Sequence, residues 1–432
     1  MFLRRSITAV AAATALCAVT APAAQAAGSS SRAISGPPAS VATEKKLPAG
    51  LYGKADPKYD GVWRQSMALL ALDAAGAVPA RKAVDWLAGQ QCDDGSFTAY
   101  RADTGTTCDE KKTPGDTNAT AAAVQALSAV GGQDAPVRKA LAWLRSVQNK
   151  DGGWGYNPGS PSDANSVSVV VGALAAAGEQ PEKAVKGGKS PYDALASLQL
   201  GCDAGKAKRG AFAYQPGKDG ELAANDDATA AAVLAGAGSG MQAEKPSGRS
   251  AEAKPLECGK GDAGDGKPLG RDEAAGAGAA YLASVLEKNG HHLLAVTPGA
   301  EGEPDYGNTA DAVIALAAGG HRAEARESLN WLAAKLDSWD KSEGDPAAVA
   351  GVMLAVHATG GDAATLKGTK LLDRLVATGP EPARMPDEKQ ATGAEKDEDD
   401  GAVLRWSLLG AGLAAGVGAG FLISARRKRQ GQ

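Results

Sequence analysis

Six stretches of about a dozen residues, nearly free of charge and rich in Ala, Val and Leu, recur along this chain: Gly61 to Leu72, Asp116 to Leu127, Asp163 to Leu174, Asn225 to Gly236, Asp305 to Leu316 and Asp345 to Val356. Each opens on a capping-type residue, Asp60 serving in the first, and most close at a glycine of the left-handed kind, Gly131, Gly178, Gly319 or Gly360. A helix apolar on every side must be surrounded by protein. Between these stretches run amphipathic ones with charge on one face: Ala80 to Gln91, Pro136 to Asn149, Pro181 to Leu200, Arg271 to Asn289, Arg322 to Asp337 and Ala363 to Ala377. A hairpin of one apolar and one amphipathic helix cannot bury its own inner face, so neighbouring hairpins must do it. The pattern predicts an all-α fold, an (α/α)6 toroid of six hairpins over residues 59–378, with an open solenoid as the alternative.

The flanks read differently. Residues 1–27 follow the export pattern, with Arg4 and Arg5, an apolar run from Ile7 to Val19 and the cleavage signal Ala24-Gln25-Ala26. Residues 28–58, rich in Ser, Pro and Ala, are expected to be flexible, and 237–270 form a Gly- and Lys-rich insertion loop within the ring. An acidic linker over 379–401 leads to a transmembrane helix over 402–425 and a basic tail over 426–432. From Trp406 to Ala425 no residue is charged, and Arg426 to Arg429 follow at once, which places the tail in the cytoplasm and the ring outside the cell. Of 46 basic residues, six lie in the leader and the tail, so the remainder is outnumbered by the 50 acidic ones and a nucleic-acid partner is excluded. Cys17 leaves with the leader; Cys92, Cys108, Cys202 and Cys258 remain, none at zinc-site spacing, and proximity favours Cys92 with Cys108 and Cys202 with Cys258 among three pairings.

One string recurs at the ends of the amphipathic helices. Lys82-Ala83-x-x-Trp86-Leu87-x-x-x-Gln91-x-x-x-Gly95-x-Phe97 is followed by Lys139-Ala140-x-x-Trp143-Leu144-x-x-x-Gln148-x-x-x-Gly152-x-Trp154. A third copy keeps Leu195, Gln199, Gly210 and Phe212, and a degenerate one Trp331, Leu332 and Trp339. These resemble the QW repeats of squalene and terpenoid cyclases. The resemblance implies the α/α toroid shared by those cyclases, the protein prenyltransferase β subunits and the vitamin B12 carriers of the intrinsic factor type. In the string itself the Trp packs the outer helix, the Gly ends it, and the Gln and terminal aromatic staple it to its neighbour.

Catalytic signatures of those families do not fall on helices. The only DxDD-like string, Asp397-Glu398-Asp399-Asp400, lies in the acidic linker and reads as a solvated charge run; no DDxxD string occurs. His291, His292, His321 and His357 form no zinc-ligand set with the cysteines, so no metal is expected. The long loops from outer to inner helices offer a binding mouth instead. There Tyr156, Tyr214 and Tyr306 accompany polar helix starts at Asp116 and Asn118, Asp163 and Asn165, Asn225 and Asp227, and Asp305. Each Asp or Asn also reads as an N-cap. Converging N-termini would form a rim of amide donors, carboxylates and aromatic faces suited to an uncharged or amide-rich ligand.

The function read from the sequence is a cell-surface, membrane-anchored, non-catalytic toroid that captures a small molecule for an integral membrane transporter, a corrinoid being the cargo that the resemblance implies. The alternatives are a terpenoid cyclase or prenyltransferase-like enzyme and a carbohydrate-active toroid. Because outer helices run toward the mouth, the tether is expected to leave from the mouth end.

Overall fold

Each apolar stretch forms a helix, and each is walled in by others. The computed structural model describes residues 47–109, 111–244, 253–258 and 269–386. The hairpins are α1 (Gly61–Ala74) with α2 (Arg81–Gly89), α3 (Thr117–Val130) with α4 (Asp134–Ser146), α5 (Ala164–Ala176) with α6 (Pro191–Ala196), α7 (Asp226–Gly236) with α8 (Arg271–Lys288), α9 (Tyr306–Ala318) with α10 (Arg322–Lys335), and α11 (Pro346–Ala358) with α12 (Leu371–Val376). The odd-numbered helices are the inner ones. They pack in succession, and α1 meets α3 on one side and α11 on the other, so the ring is closed. Its core is built largely of Ala, Val and Leu at or near zero exposure, as in α3, α5 and α11.

Two outer helices are shorter than expected. Over 181–200 a 3-10 turn at Pro181–Lys183 gives way to a turn at Gly187 and Gly188, both at positive φ, before Ser190 caps α6 with a reciprocal capping box. Over 363–377 the strands β1 (Thr365–Leu366) and β2 (Thr369–Lys370) pair around Lys367 and Gly368, both again at positive φ, and only Leu371 onward is helical. In both places a Gly-containing turn breaks what the amphipathic pattern extends. Helix α9 also stops one residue later than expected, with Gly320 rather than Gly319 at positive φ.

The repeated string is a staple between outer helices. Gln91 Nε2 donates to the carbonyls of Gly95 and Pro136, Gln148 to those of Gly152 and Ala184, and Gln199 to those of Gly210 and Ala274. One amide nitrogen thus joins its own loop to the next outer layer. Gly152 sits at φ +86°, and a Cβ there would meet the Ser190 carbonyl oxygen at 2.3 Å, so backbone approaches backbone at this joint. Phe97, Trp154 and Phe212, the terminal aromatics, are buried, and Trp154 Nε1 donates to the Leu144 carbonyl.

The segment expected to be flexible over 28–58 is ordered from Leu47 and forms the seam of the ring. Buried Tyr52 donates its hydroxyl to the Pro380 carbonyl, its backbone N–H bonds Gln65 Oε1, and the Gly53 N–H reaches the Thr378 carbonyl. Arg64 of α1 binds back to the Ala55 carbonyl and Asp60. The start of the expected linker belongs to the same seam: Val78 and Arg384 form a β-bridge, and Pro386 approaches Gly76. Those residues lie in the α1–α2 turn, at the end of the ring opposite the mouth. The described chain therefore leaves the ring at the far end, contrary to the expectation of a tether starting beside the mouth.

The insertion begins as a floor. Met241 N–H donates to Gln125 Oε1 of α3, Gly240 lies against Gly172 of α5, Gln242 Nε2 reaches Asp73 of α1, and Glu244 lies 3.7 Å from His357 of α11. Cys202 and Cys258 pair, as do Cys92 and Cys108, with Cα–Cα separations of 5.7 and 5.6 Å. No helix among the described residues is long and apolar enough to cross a membrane; the expected leader (1–27), transmembrane helix (402–425) and tail (426–432) lie outside them.

The staple has a measurable weight. Gln148 is buried and its amide satisfies two carbonyls, so Gln148→Ala should lower unfolding free energy by about 1–3 kcal/mol in denaturant titration. An unchanged midpoint would show that the bridge contributes nothing.

Candidate functional site

The mouth takes its geometry from an accounting of backbone N–H groups at six helix N-termini. Asp116, Asp163, Asn225 and Asp305 each accept from a first-turn N–H, those of Ala119, Ser166, Ala228 and Asn308, and Asp345 does the same for Ala347 and Ala348. Loop carbonyls take further ones. Ala99, Tyr156 and Tyr214, each two residues beyond a stapling aromatic, accept from Val62, Thr117 and Ala164. The aromatics' own carbonyls, at Phe97, Trp154 and Phe212, accept from the cap residues Asp116, Asp163 and Asn225. Many of the amide donors of the expected rim are therefore already engaged, most completely at α3 and α5. What faces inward is the side chains.

Those side chains enclose a central cavity of about 360 Å³ that the ring surrounds and the segment at Gly240 and Met241 floors. The inner helices present their second, fifth or sixth, and ninth positions after the cap. Asn118, Asn165 and Asp227 occupy the outer tier; Ser168, Val169, Ala231 and Asp311 come next; Gln125, Leu234 and Ile314 lie deepest. From Asp227 to Asp311 is four helical positions, about 6 Å of depth at ~1.5 Å per residue. Asp60, Trp63 and Met67 of α1 complete the wall.

Of the ten sequence candidates, Asp116, Asn118, Tyr156, Asn165 and Asp227 line this cavity. Asp163, Asn225 and Asp305 are caps outside its lining. Tyr214 is half-exposed, and Tyr306 stacks between Trp331 and Trp339 with ring centroids 5.1 Å away from each. Sequence reasoning missed Asp60, Trp63, Ser168 and Asp311. Asp311 had a signal: it is the only charged residue between Tyr306 and Ala318.

The electrostatics are one-sided. Burial raises the Asp116 carboxyl above the usual range, opposed by the Ala119 N–H and the Tyr156 hydroxyl. Burial also raises Asp227, opposed by Asn165 Nδ2 at 2.6 Å, with Asp305 and Asp163 raising it further. Asp311 is open to the cavity but walled in by protein beyond it, and this desolvation, with Asp227 and Asp305 nearby, pushes its carboxyl up to about 7. No Lys, Arg or His occurs among the described lining residues, and no three His, Cys, Asp or Glu side chains among the described residues are grouped to hold a metal ion.

This arrangement has a stability consequence. Unfolded, Asp311 ionises near 3.9, so as pH rises the unfolded chain loses its proton first and the folded state loses stability progressively up to about 7. Asp311→Asn should raise Tm at pH 8 by about 2–4 °C or more, with the difference shrinking toward pH 4. A melting series that shows the same offset at both pH values would remove Asp311 as the source.

Residues 53–236 match the family model of the prenyltransferase alpha-alpha toroid domain. A crystal structure of a protein from Actinoplanes is similar at 17% identity and a TM-score of 0.43, covering 73% of this chain and 95% of that one. No curated protein matches the chain in sequence. The matched stretch, less than half of the chain, holds the first four inner helices and the staples at Gln91 and Gln148, and it is over these elements that the chain is similar to the prenyltransferase alpha-alpha toroid domain.

Proposed function

We propose that the protein is a receptor for a compact small molecule, held in the central cavity of the ring. The observation that carries this reading is the cavity itself: walled by the inner helices α1, α3, α5, α7 and α9, floored by the start of the insertion, and mixing apolar faces with a few placed polar groups, as small-molecule sites do. Its volume of about 360 Å³ lies at the small end of such sites, and a corrinoid is too large to enter it. The reading keeps export, anchoring by the C-terminal apolar stretch and delivery to a membrane partner, all of which rest on the sequence.

A second reading, an acid-catalysed enzyme, is favoured by one observation. Asp311 faces the cavity with a carboxyl that holds its proton to about pH 7, as a general acid would. Binding without turnover separates the two.

The test uses the full-length chain, a set of compact organic fragments and cyanocobalamin, followed by calorimetry, with mass spectrometry of the recovered ligands. Ala231→Phe, which fills the middle tier, should abolish binding of the fragments that the native chain takes, with Tm unchanged. Fragments that bind the variant equally well, or cyanocobalamin as the sole ligand, would overturn the cavity reading, and a chemically altered ligand would select the enzyme.

A further inference from the structure

The charged groups that line the cavity are all carboxylates, with no cationic side chain among the described lining residues. Asp60, Asp116, Asp227 and Asp311 bring carboxylates to its wall, and several of the first-turn N–H groups that might have balanced them, at Thr117, Ala119, Ala164, Ser166 and Ala228, are taken by caps and loop carbonyls. Asn165 turns its amide nitrogen to Asp227, which fixes the orientation of the amide and leaves Oδ1 without a donor. Ser168, only 7% exposed and lining the same middle tier as Asp311, has an Oγ with no partner. Asn118 Oδ1 is unpartnered as well. Buried polar atoms are normally bonded, and three lining residues that each carry an oxygen without a donor show that acceptors are in excess around this cavity.

The remaining lining narrows the donor's chemistry. A neutral hydrogen-bonding ligand would leave the carboxylates without a counter-charge in a confined space, an unfavourable state for buried ions. A metal ion has no group of ligands among the described residues. Below the carboxylates the wall turns apolar, with Leu234, Met241 and Ile314 around the floor and Trp63 and Met67 beside them. The cavity is thus charged in its upper tiers and greasy at its base.

Building on the receptor reading above, we propose that the ligand is an organic cation: a protonated amine on a compact apolar body, the ammonium group donating to Asp227 and Asp311 and the body resting on Leu234, Met241 and Ile314. The ammonium replaces the proton that Asp311 holds in the empty cavity. Binding is therefore coupled to proton release near neutrality, and affinity falls as pH drops below about 7. The titratable groups that face Asp311 in this coupling are Asp227 from α7, Asp305 on its own helix and, across the cavity, Asp60 from α1 and Asp116 with Tyr156.

The experiment compares two probes of matched shape, 2-phenylethylammonium and 2-phenylethanol, titrated into the full-length chain by calorimetry at pH 7.5 and pH 5.5. The ammonium should bind more than about tenfold tighter than the alcohol, and Asp227→Asn and Asp311→Asn should each weaken it by at least about tenfold while leaving the alcohol unchanged. Repeating the titration in buffers of different ionisation enthalpy should reveal proton release with the native chain and not with Asp311→Asn, whose folding is checked by thermal melting. Equal affinity for alcohol and ammonium would overturn the cation and leave the receptor reading in place. Binding of neither probe, together with no difference between the native chain and Ala231→Phe toward any fragment, would overturn both.

Discussion

The rest of the structure depends on the fact that the inner helices are apolar on nearly every side and must be covered by protein. In α5 and α11 nearly every residue from the second turn onward is buried, and a hairpin has only one outer partner to offer. The other sides must be covered by inner helices of neighbouring hairpins, and the arrangement is complete only when the last meets the first. The seam at Tyr52 makes that closure specific. Its hydroxyl and backbone tie residues near the start of the described chain to Gln65 of α1 and to Pro380 beyond α12, and at Gly379 a Cβ would lie 2.2 Å from the Tyr52 ring. A ring made mostly of hairpins is thus locked by an element that belongs to none of them.

Closing such a ring leaves its centre unfilled, because the inner faces carry small side chains. Ala230 and Ala231 of α7 and Val169 of α5 are too short to meet across it, and the space becomes the cavity. How that space is lined follows from the helix termini. Six N-termini at one mouth would ordinarily present donors and positive potential. Here the caps and the carbonyls of Ala99, Tyr156 and Tyr214 take many of them, and the carboxylates of Asp60, Asp116, Asp227 and Asp311 line the space within. The loops do structural and electrostatic work through the same hydrogen bonds.

The cavity also depends on an element foreign to the repeat. Gly240 and Met241 close the lower end, and a Cβ on Gly240 would lie 2.3 Å from Gln125 Oε1. Without side-chain bulk there, the segment can pass between α3 and α5 closely enough for Gln125 to hold it. The insertion that reads in the sequence as an interruption is what turns an open tube into a vessel.

Much of the architecture was legible from the residues alone. Charge-free runs opened by Asp or Asn, the Gln-x-x-x-Gly-x-aromatic staple and the paired cysteines are local or periodic signals, and the helices, caps and disulfides follow them. Asn118, Asn165 and Asp227 reached the cavity because position two after the cap points inward, and the cap Asp116 and the loop residue Tyr156 join them, whereas the caps Asp163, Asn225 and Asp305 stay outside its lining. Asp311 escaped because it sits one turn deeper, where the other helices carry Val169 and Ala231, and no rule of spacing singles out that register. The two outer helices interrupted by turns, the ordering of 47–58 and the exit of the chain at the floor end were likewise not legible. The sequence by itself determined which segments are helices and that they must enclose one another, because periodicity and composition are properties of the chain. Only the tertiary structure decided that many of the mouth's amides are already taken and that four carboxylates share one cavity, because those depend on which carbonyl and which side chain distant segments bring to the same place.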